Sequence, residues 1–168
     1  LGEQYYRAPE NLEETPAVIG HEFCGIIEKV GSKWEKQYHE GERFVIQPAM
    51  SGMLKAPGFS YPYFGGCSQY IIIPGFAVEK GALLPYQAEE AYLGSLSEPV
   101  SCIINTFHSM FHLGKDYTEH IMGIRQGGNC LVLAGAGPMG MAAVDYAIHA
   151  DRRPGKLVVT DINEKRLQ

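Results

Sequence analysis

The sequence lacks closely spaced cysteines, because its four cysteines are too far apart in the chain to form a recognised metal or redox motif. There is no Cys-x-x-Cys pair among the four residues Cys24, Cys67, Cys102 and Cys130. This scatter argues against a disulfide framework and against a structural metal site built from cysteines. We therefore expect reduced thiols, as in a cytoplasmic protein.

Clusters of positive charge and long apolar runs are also missing. The formal net charge is -5 and no cluster of lysine and arginine occurs, so the sequence does not predict a nucleic-acid partner. No apolar run approaches the roughly 20 residues of a membrane-spanning helix, so a membrane partner is not predicted either. What remains is the composition of a globular protein, with 45% hydrophobic and 20% charged residues.

The most informative stretch is a short apolar run at 131–133 that leads into a glycine-rich turn. Gly135, Gly137 and Gly140 have the G-x-G-x-x-G spacing of dinucleotide-binding units. In such units the first glycine allows a tight turn, the second leaves room for a pyrophosphate, and the third lets helix and strand pack closely. An ordinary glycine turn is the alternative interpretation of this spacing.

The residues after the turn favour the dinucleotide interpretation. Pro138 and Met139 open a segment of helical spacing that continues to His149, and phosphates bind at such a helix N-terminus. A second strand is predicted over 156–160, and Asp161 follows it at the point where a carboxylate accepts hydrogen bonds from an adenosine ribose.

Asp161 also bears on the choice between the two nicotinamide cofactors. A carboxylate at this position repels the 2′-phosphate of NADP, so NAD(H) is favoured over NADP(H). Lys165 and Arg166 weaken this preference, because either side chain could reach a phosphate.

The front half of the chain has the composition of short strands and loops. Strands are predicted over 18–31, 43–47 and 68–73, from β-branched and aromatic residues bounded by glycine or proline. Residues 48–68 are rich in proline, glycine and aromatic residues, which predicts a loop that lies over another element. Together these patterns predict a small, irregular, all-β, barrel-like domain.

The pattern changes to helical near Pro85. A short helix is predicted over 87–92, and Ser97 is the predicted cap of a longer helix with Pro99 in its first turn. Residues 114–128 are predicted to be a polar connection. Helical spacing predicts one buried face of the longer helix, formed by Val100, Ile103, Ile104, Phe107, Met110 and Phe111.

Three residues are candidate metal ligands, namely His21, Glu22 and Glu98. An imidazole nitrogen and carboxylate oxygens are ligands that suit zinc. Adjacent residues of a regular strand point to opposite faces, so His21 and Glu22 can share a metal only if the backbone bends there. In the alternative interpretation His21 is a hydrogen-bonded histidine near a core, and Glu98 only stabilises a helix N-terminus.

Five short motifs follow one another along the chain, namely Gly20–Gly25, Gly41–Val45, Gly65–Tyr70, Ser97–Val100 and the glycine turn. In this order they resemble the zinc-dependent medium-chain alcohol and polyol dehydrogenases, over most of residues 18–168. Within that family the sequence is most similar to the sugar-alcohol and sugar-phosphate branch, which includes sorbitol dehydrogenase and L-sorbose-1-phosphate reductase.

The resemblance implies an α/β architecture in two incomplete domains. Residues 1–99 would be a partial GroES-like zinc and substrate domain, and residues 100–168 the start of a Rossmann doubly wound parallel sheet. The strands that complete this sheet, and a first zinc-binding cysteine, would lie outside the sequence, which we therefore expect to be a fragment. The full-length protein is expected to be a homo-oligomer.

The resemblance also implies a metal site. In the family one catalytic zinc is held by a cysteine, by the histidine of the G-H-E motif and by a later cysteine or carboxylate. His21 would be a direct ligand and Glu98 the later one, whereas Glu22 would be a ligand that exchanges with water or a hydrogen-bonding partner of a ligand. Cys24 is expected to pack in the sheet. No structural zinc is expected, because residues 48–66 contain no cysteine.

The implied reaction is hydride transfer between NAD(H) and a small polyol, sugar or sugar phosphate. A zinc-free quinone or enoyl reductase of the same fold is an alternative, although such relatives usually lack the metal histidine and the later carboxylate. A non-catalytic fragment or binding protein that keeps the fold is a further alternative.

Overall fold

The chain divides into two compact units, residues 1–98 and 99–168. The structure is a computed structural model, and it describes residues 10–11 and 13–168. Residues 1–9 and residue 12 of the predicted first domain lie outside the described residues. Each unit has its own hydrophobic core, and the two are described separately below.

The first unit is built on a three-stranded antiparallel sheet in the order β1-β2-β3. The strands are β1 Cys24–Ile26, β2 Arg43–Ile46 and β3 Leu83–Tyr86. In the central strand Val45 lies opposite Cys24 on one side and Leu84 on the other. Two five-residue helices accompany the sheet, α1 Gly75–Glu79 and α2 Ala91–Ser95. The core includes Phe44, Ile46, Met50, Tyr61, Phe64, Ala77 and Leu83.

The structure corrects several predictions for this unit. The strand predicted over 18–31 is wrong except at its centre, because Gly20 has φ +87° and interrupts the extended backbone before β1. Residues 68–73 form no strand. The third place in the sheet belongs to β3, which contains Pro85 and tolerates it because β3 is an edge strand. The unit is therefore not all-β, and its described strands form an open sheet rather than a closed barrel.

The second unit contains a hairpin and a β-α-β unit. Helix α3, Ser97–Ser109, begins just before this unit and supplies Phe107 to its core. The strands of the antiparallel hairpin are β4 Phe111–Leu113 and β5 His120–Met122. The β-α-β unit consists of β6 Asn129–Leu133, α4 Pro138–His149 and β7 Lys156–Thr160.

Strands β6 and β7 are parallel, with Leu131 opposite Val158 and Leu133 opposite Thr160. Their alternate residues Cys130, Val132 and Leu157 pack with α4 through Ala143 and Ala147. The prediction of these three elements from the sequence is confirmed, with β7 at the predicted bounds. No helix among residues 10–11 and 13–168 is both long enough and apolar enough to cross a membrane.

Three other predictions for the helical part need correction. The short helix predicted over 87–92 begins only at Ala91, because the carbonyl of Ala88 accepts a hydrogen bond from the Arg43 side chain instead of entering a helical turn. The polar connection predicted over 114–128 contains strand β5. Helix α3 ends at Ser109, so Met110 and Phe111 fall outside its predicted buried face and are 38% and 56% exposed. Val100 lies within the helix but is also 38% exposed, so the prediction is wrong for it too.

Candidate functional site

His21 and Glu98 lie side by side, although they are far apart in the sequence. The Nε2 atom of His21 is 3.7 Å from Oε2 of Glu98, and their side chains are only 22% and 15% exposed. Glu22 completes the group, because one ligand atom from each of the three residues lies within 4.8 Å of the others. The structure therefore brings together the three candidate metal ligands of the first unit.

The backbone around Gly20 explains how two adjacent residues come to face the same place. The positive φ of Gly20 and the absence of regular strand at residues 18–23 remove the alternation that would send His21 and Glu22 to opposite faces. The bend is held by two hydrogen bonds, from the Gly66 N–H to the Gly20 carbonyl at 2.7 Å and from the Cys67 N–H to the Ile19 carbonyl at 2.9 Å.

A second contact with this bend comes from the turn at Gly58. Gly58 has φ +75°, and a Cβ atom there would lie 2.4 Å from the carbonyl carbon and oxygen of Gly20 and 2.8 Å from the His21 nitrogen. Only glycine fits so close an approach without displacement of the backbone. The loop predicted over 48–68 does lie over another element, and that element is the His21 bend.

Phe59 is the residue at this site that the sequence interpretation missed. Its ring centroid is 5.0 Å from that of His21, and the two ring planes are inclined by 31°. Phe59 and Gly58 also line an open cavity of about 540 Å³, together with residues 19–22. The sequence signal was limited to an aromatic residue in a glycine-rich loop, which does not say what the ring contacts.

The donor set of the cluster fits a zinc ion. Zinc binds imidazole nitrogen and carboxylate oxygen at about 2.0–2.2 Å, so two tetrahedral ligand atoms are about 3.4 Å apart. The His21–Glu98 distance of 3.7 Å is close to this value. Glu22 is the exposed member of the group, so its carboxylate has room either to approach a metal or to turn to water.

Glu98 also occupies the first turn of α3. A carboxylate there interacts favourably with the positive end of the helix. The position of Glu98 in the first turn is therefore consistent with both interpretations of this residue, and its proximity to His21 favours the one in which it is a metal ligand.

The turn between β6 and α4, together with the first turn of α4, contains three glycines. Close packing leaves no room for a side chain at Gly135 and Gly140, but it leaves room for one at Gly137. A Cβ atom at Gly140 would lie 2.4 Å from Gly135 Cα, and one at Gly135 would lie 2.5 Å from the Val159 side chain. A Cβ atom at Gly137 would meet nothing within 4 Å. Gly137 is the N-cap residue of α4, which begins at Pro138.

The side chain of Asp161 is hydrogen-bonded to this turn. Its Oδ2 atom accepts a hydrogen bond from the Ala136 N–H at 3.0 Å, and its Oδ1 atom accepts one from the Asn163 N–H at 2.8 Å. These hydrogen bonds, first from Asn163 and then from Ala136, hold the pKa of the Asp161 carboxyl below its usual value, with a smaller contribution from the Arg166 charge. The carboxylate is therefore held ionised between the end of β7 and the turn.

The cysteines near the first cluster differ in their surroundings. Cys24 lies in β1 and its side chain packs closely against Gly94 of α2, as expected from the sequence, and burial raises the pKa of its thiol. Cys67 is exposed and its backbone holds the bend at Ile19. All four cysteines are free thiols.

Comparison with known proteins shows which proteins the chain is similar to. Residues 3–82 match the family model described as "Alcohol dehydrogenase GroES-like domain". Over 99% of its length the chain is 46% identical to the mannitol-1-phosphate 5-dehydrogenase of Aliivibrio fischeri and 40% identical to the L-sorbose 1-phosphate reductase of Klebsiella pneumoniae. An L-threonine 3-dehydrogenase of Ruegeria pomeroyi is 28% identical over 91% of the chain.

The chain spans only part of these relatives, between 40% and 42% of their lengths. No solved structure matches the chain. The segment matched by the family model includes His21, and the two sugar-phosphate relatives match 99% of the chain. The chain is therefore similar to the medium-chain alcohol and polyol dehydrogenases, and its residues 3–82 match the GroES-like domain of alcohol dehydrogenases.

Proposed function

We propose that the full-length protein is a zinc-dependent oxidoreductase that transfers a hydride between NAD(H) and a polyol, sugar or sugar phosphate. The observation that carries this proposal is the 3.7 Å separation of His21 Nε2 and Glu98 Oε2 in a partly buried cluster. The names of the relatives, among them a mannitol-1-phosphate dehydrogenase and an L-sorbose 1-phosphate reductase, support an oxidoreductase and favour a sugar phosphate as substrate.

In this proposal His21 and Glu98 would hold one zinc ion, and Glu22 would be an exchangeable ligand or a hydrogen-bonding partner. When bound, zinc supplies Lewis-acid polarisation of a substrate hydroxyl or carbonyl oxygen. His21 must present a neutral imidazole, because a ligand nitrogen has to be free of its proton. Phe59 packs beside the His21 ring, and with Gly58 it lines the open cavity next to that ring.

The nucleotide would bind to the second unit as the beginning of a Rossmann fold. The β-α-β unit supports this part of the proposal, as does the glycine turn at the N-terminus of α4. Gly137 and Met139 would lie beside the pyrophosphate with Pro138. Asp161 still has lone pairs for a ribose hydroxyl after its two backbone hydrogen bonds, and its charge favours NAD(H) over NADP(H).

The proposal also covers the location of the protein, its oligomeric state and the identity of its two units. Unpaired thiols are compatible with a cytoplasmic location. A homo-oligomer is proposed for the full-length protein from the family resemblance alone. The two units are proposed to be the partial GroES-like and partial Rossmann domains predicted over 1–99 and 100–168.

The proposal is tested on the purified full-length protein by metal analysis together with NAD-linked assays. We expect about one zinc per chain, oxidation of mannitol 1-phosphate with NAD, and loss of that activity when a chelator removes the metal. Unphosphorylated mannitol is the matched substrate that tests the phosphate preference. Full activity toward a quinone or enoyl substrate in a metal-free preparation would instead identify a zinc-free reductase and would overturn the proposal.

A further inference from the structure

The His21 ring lies close to a carboxylate and to an aromatic ring. Oε2 of Glu98 lies 3.7 Å from its Nε2 atom, and the ring centroid of Phe59 lies 5.0 Å from its own centroid. A metal-binding histidine needs a fixed ring orientation, because a rotation about its side-chain bonds moves the ligand nitrogen away from the metal. A flat apolar ring beside the imidazole restricts this rotation.

The backbone of Gly58 determines the position of the Phe59 ring. Its left-handed backbone and its close approach to Gly20 leave no space for a side chain, and its N–H donates to the Phe64 carbonyl at 2.8 Å. The turn is thus held on both sides, against the His21 bend and against its own loop. Phe59 is the next residue in the chain, so this fixed turn determines the position of its backbone.

We propose that Phe59, placed by the Gly58 turn, is the positioning residue that fixes the orientation of the His21 imidazole for metal binding. The inference rests on the proposed function, because it assigns to Phe59 a role in the same zinc site. Phe59 supplies no ligand atom, and its proposed effect on the metal is exerted through the His21 ring. Phe59 lines the cavity and is 37% exposed. Its ring can therefore be replaced without a change to the buried core.

The test compares metal binding by variants of the full-length protein. Phe59→Leu removes the ring and keeps an apolar side chain, whereas Phe59→Tyr keeps the ring. Tyr63→Leu is the matched control, because Tyr63 lies in the same loop, is 38% exposed and contacts Tyr61. Zinc affinity is measured by competition with a chelator, and the visible spectrum of the cobalt-substituted protein reports the ligand geometry.

We expect Phe59→Leu to weaken zinc binding by about tenfold or more, the range typical of residues that orient metal ligands, and to change the cobalt spectrum. Phe59→Tyr and Tyr63→Leu are expected to bind zinc within about twofold of the wild type. If Phe59→Leu binds zinc as the wild type does and has its cobalt spectrum, the inference is wrong and the zinc site stands. If the wild-type protein binds no zinc, the proposed function fails, and the inference fails with it.

Discussion

The carboxylate of Asp161 accepts a hydrogen bond from the backbone N–H of Ala136 at 3.0 Å. This bond joins the end of β7 to the turn that follows β6, where Ala136 lies between Gly135 and Gly137. The same carboxylate accepts a second bond from Asn163. Asp161 therefore stabilises the glycine turn in addition to its proposed contact with a ribose, and the two roles can be separated by experiment.

The first prediction concerns the loss of stability at acidic pH. Hydrogen bonds from Asn163 and Ala136 lower the pKa of Asp161 in the folded protein, so its contribution to stability is present above the unfolded-state pKa of about 4 and is lost as the pH falls through the folded-state pKa. We expect Asp161→Asn to lose less stability than the wild type between neutral pH and this acidic range. Thermal unfolding at several pH values measures this, with Asp151→Asn as an exposed control. Parallel profiles for wild type and Asp161→Asn would contradict the prediction.

The second prediction concerns the choice of cofactor. If Asp161 accepts hydrogen bonds from the ribose of NAD and repels the 2′-phosphate of NADP, Asp161→Ala should weaken NAD binding by about tenfold to a hundredfold, since hydrogen bonds to charged groups contribute about 1.5–3 kcal/mol. NADP binding should change much less or improve. Dissociation constants of both cofactors for the full-length protein check this. An equal loss for the two cofactors would remove Asp161 from cofactor recognition.

The third prediction separates two glycines of the turn. Gly140→Ala should destabilise the protein by about 1–3 kcal/mol, because the added methyl group meets the Gly135 backbone at 2.4 Å. Gly137→Ala should leave thermal stability nearly unchanged, because nothing lies within 4 Å of its Cβ position. If a pyrophosphate approaches Gly137, this second variant should nevertheless bind NAD more weakly. Normal NAD binding by Gly137→Ala would place the pyrophosphate elsewhere.

Elements determined by local sequence could be predicted, and elements determined by distant contacts could not. Strand β7 and helix α4 have apolar spacing that depends only on their own residues, and both were found where it places them. Strand β3 contains Pro85, which argues locally against a strand, and its place depends on pairing with β2. The hairpin β4–β5 likewise has no strong turn signal in its sequence.

In the candidate site, too, the features that depend on residue type could be predicted, and those that depend on distant contacts could not. His21, Glu22 and Glu98 could be proposed from the types of ligand atom that they offer, and they do lie together. The bend that allows this depends on Gly20 and on its contact with Gly58, a residue distant in sequence. For the same reason the ring of Phe59 was not assigned to the site, since a glycine-rich loop does not specify the partner on which it folds.

The central claim is that His21 holds a catalytic zinc ion, and the zinc content and activity of His21→Ala test it most directly. His39→Ala is the matched control, because His39 is an exposed histidine of the same unit that pairs with Glu42. We expect wild type and His39→Ala to retain about one zinc per chain and full NAD-linked activity, and His21→Ala to lose both. A His21→Ala protein that keeps its zinc and its activity would contradict the account.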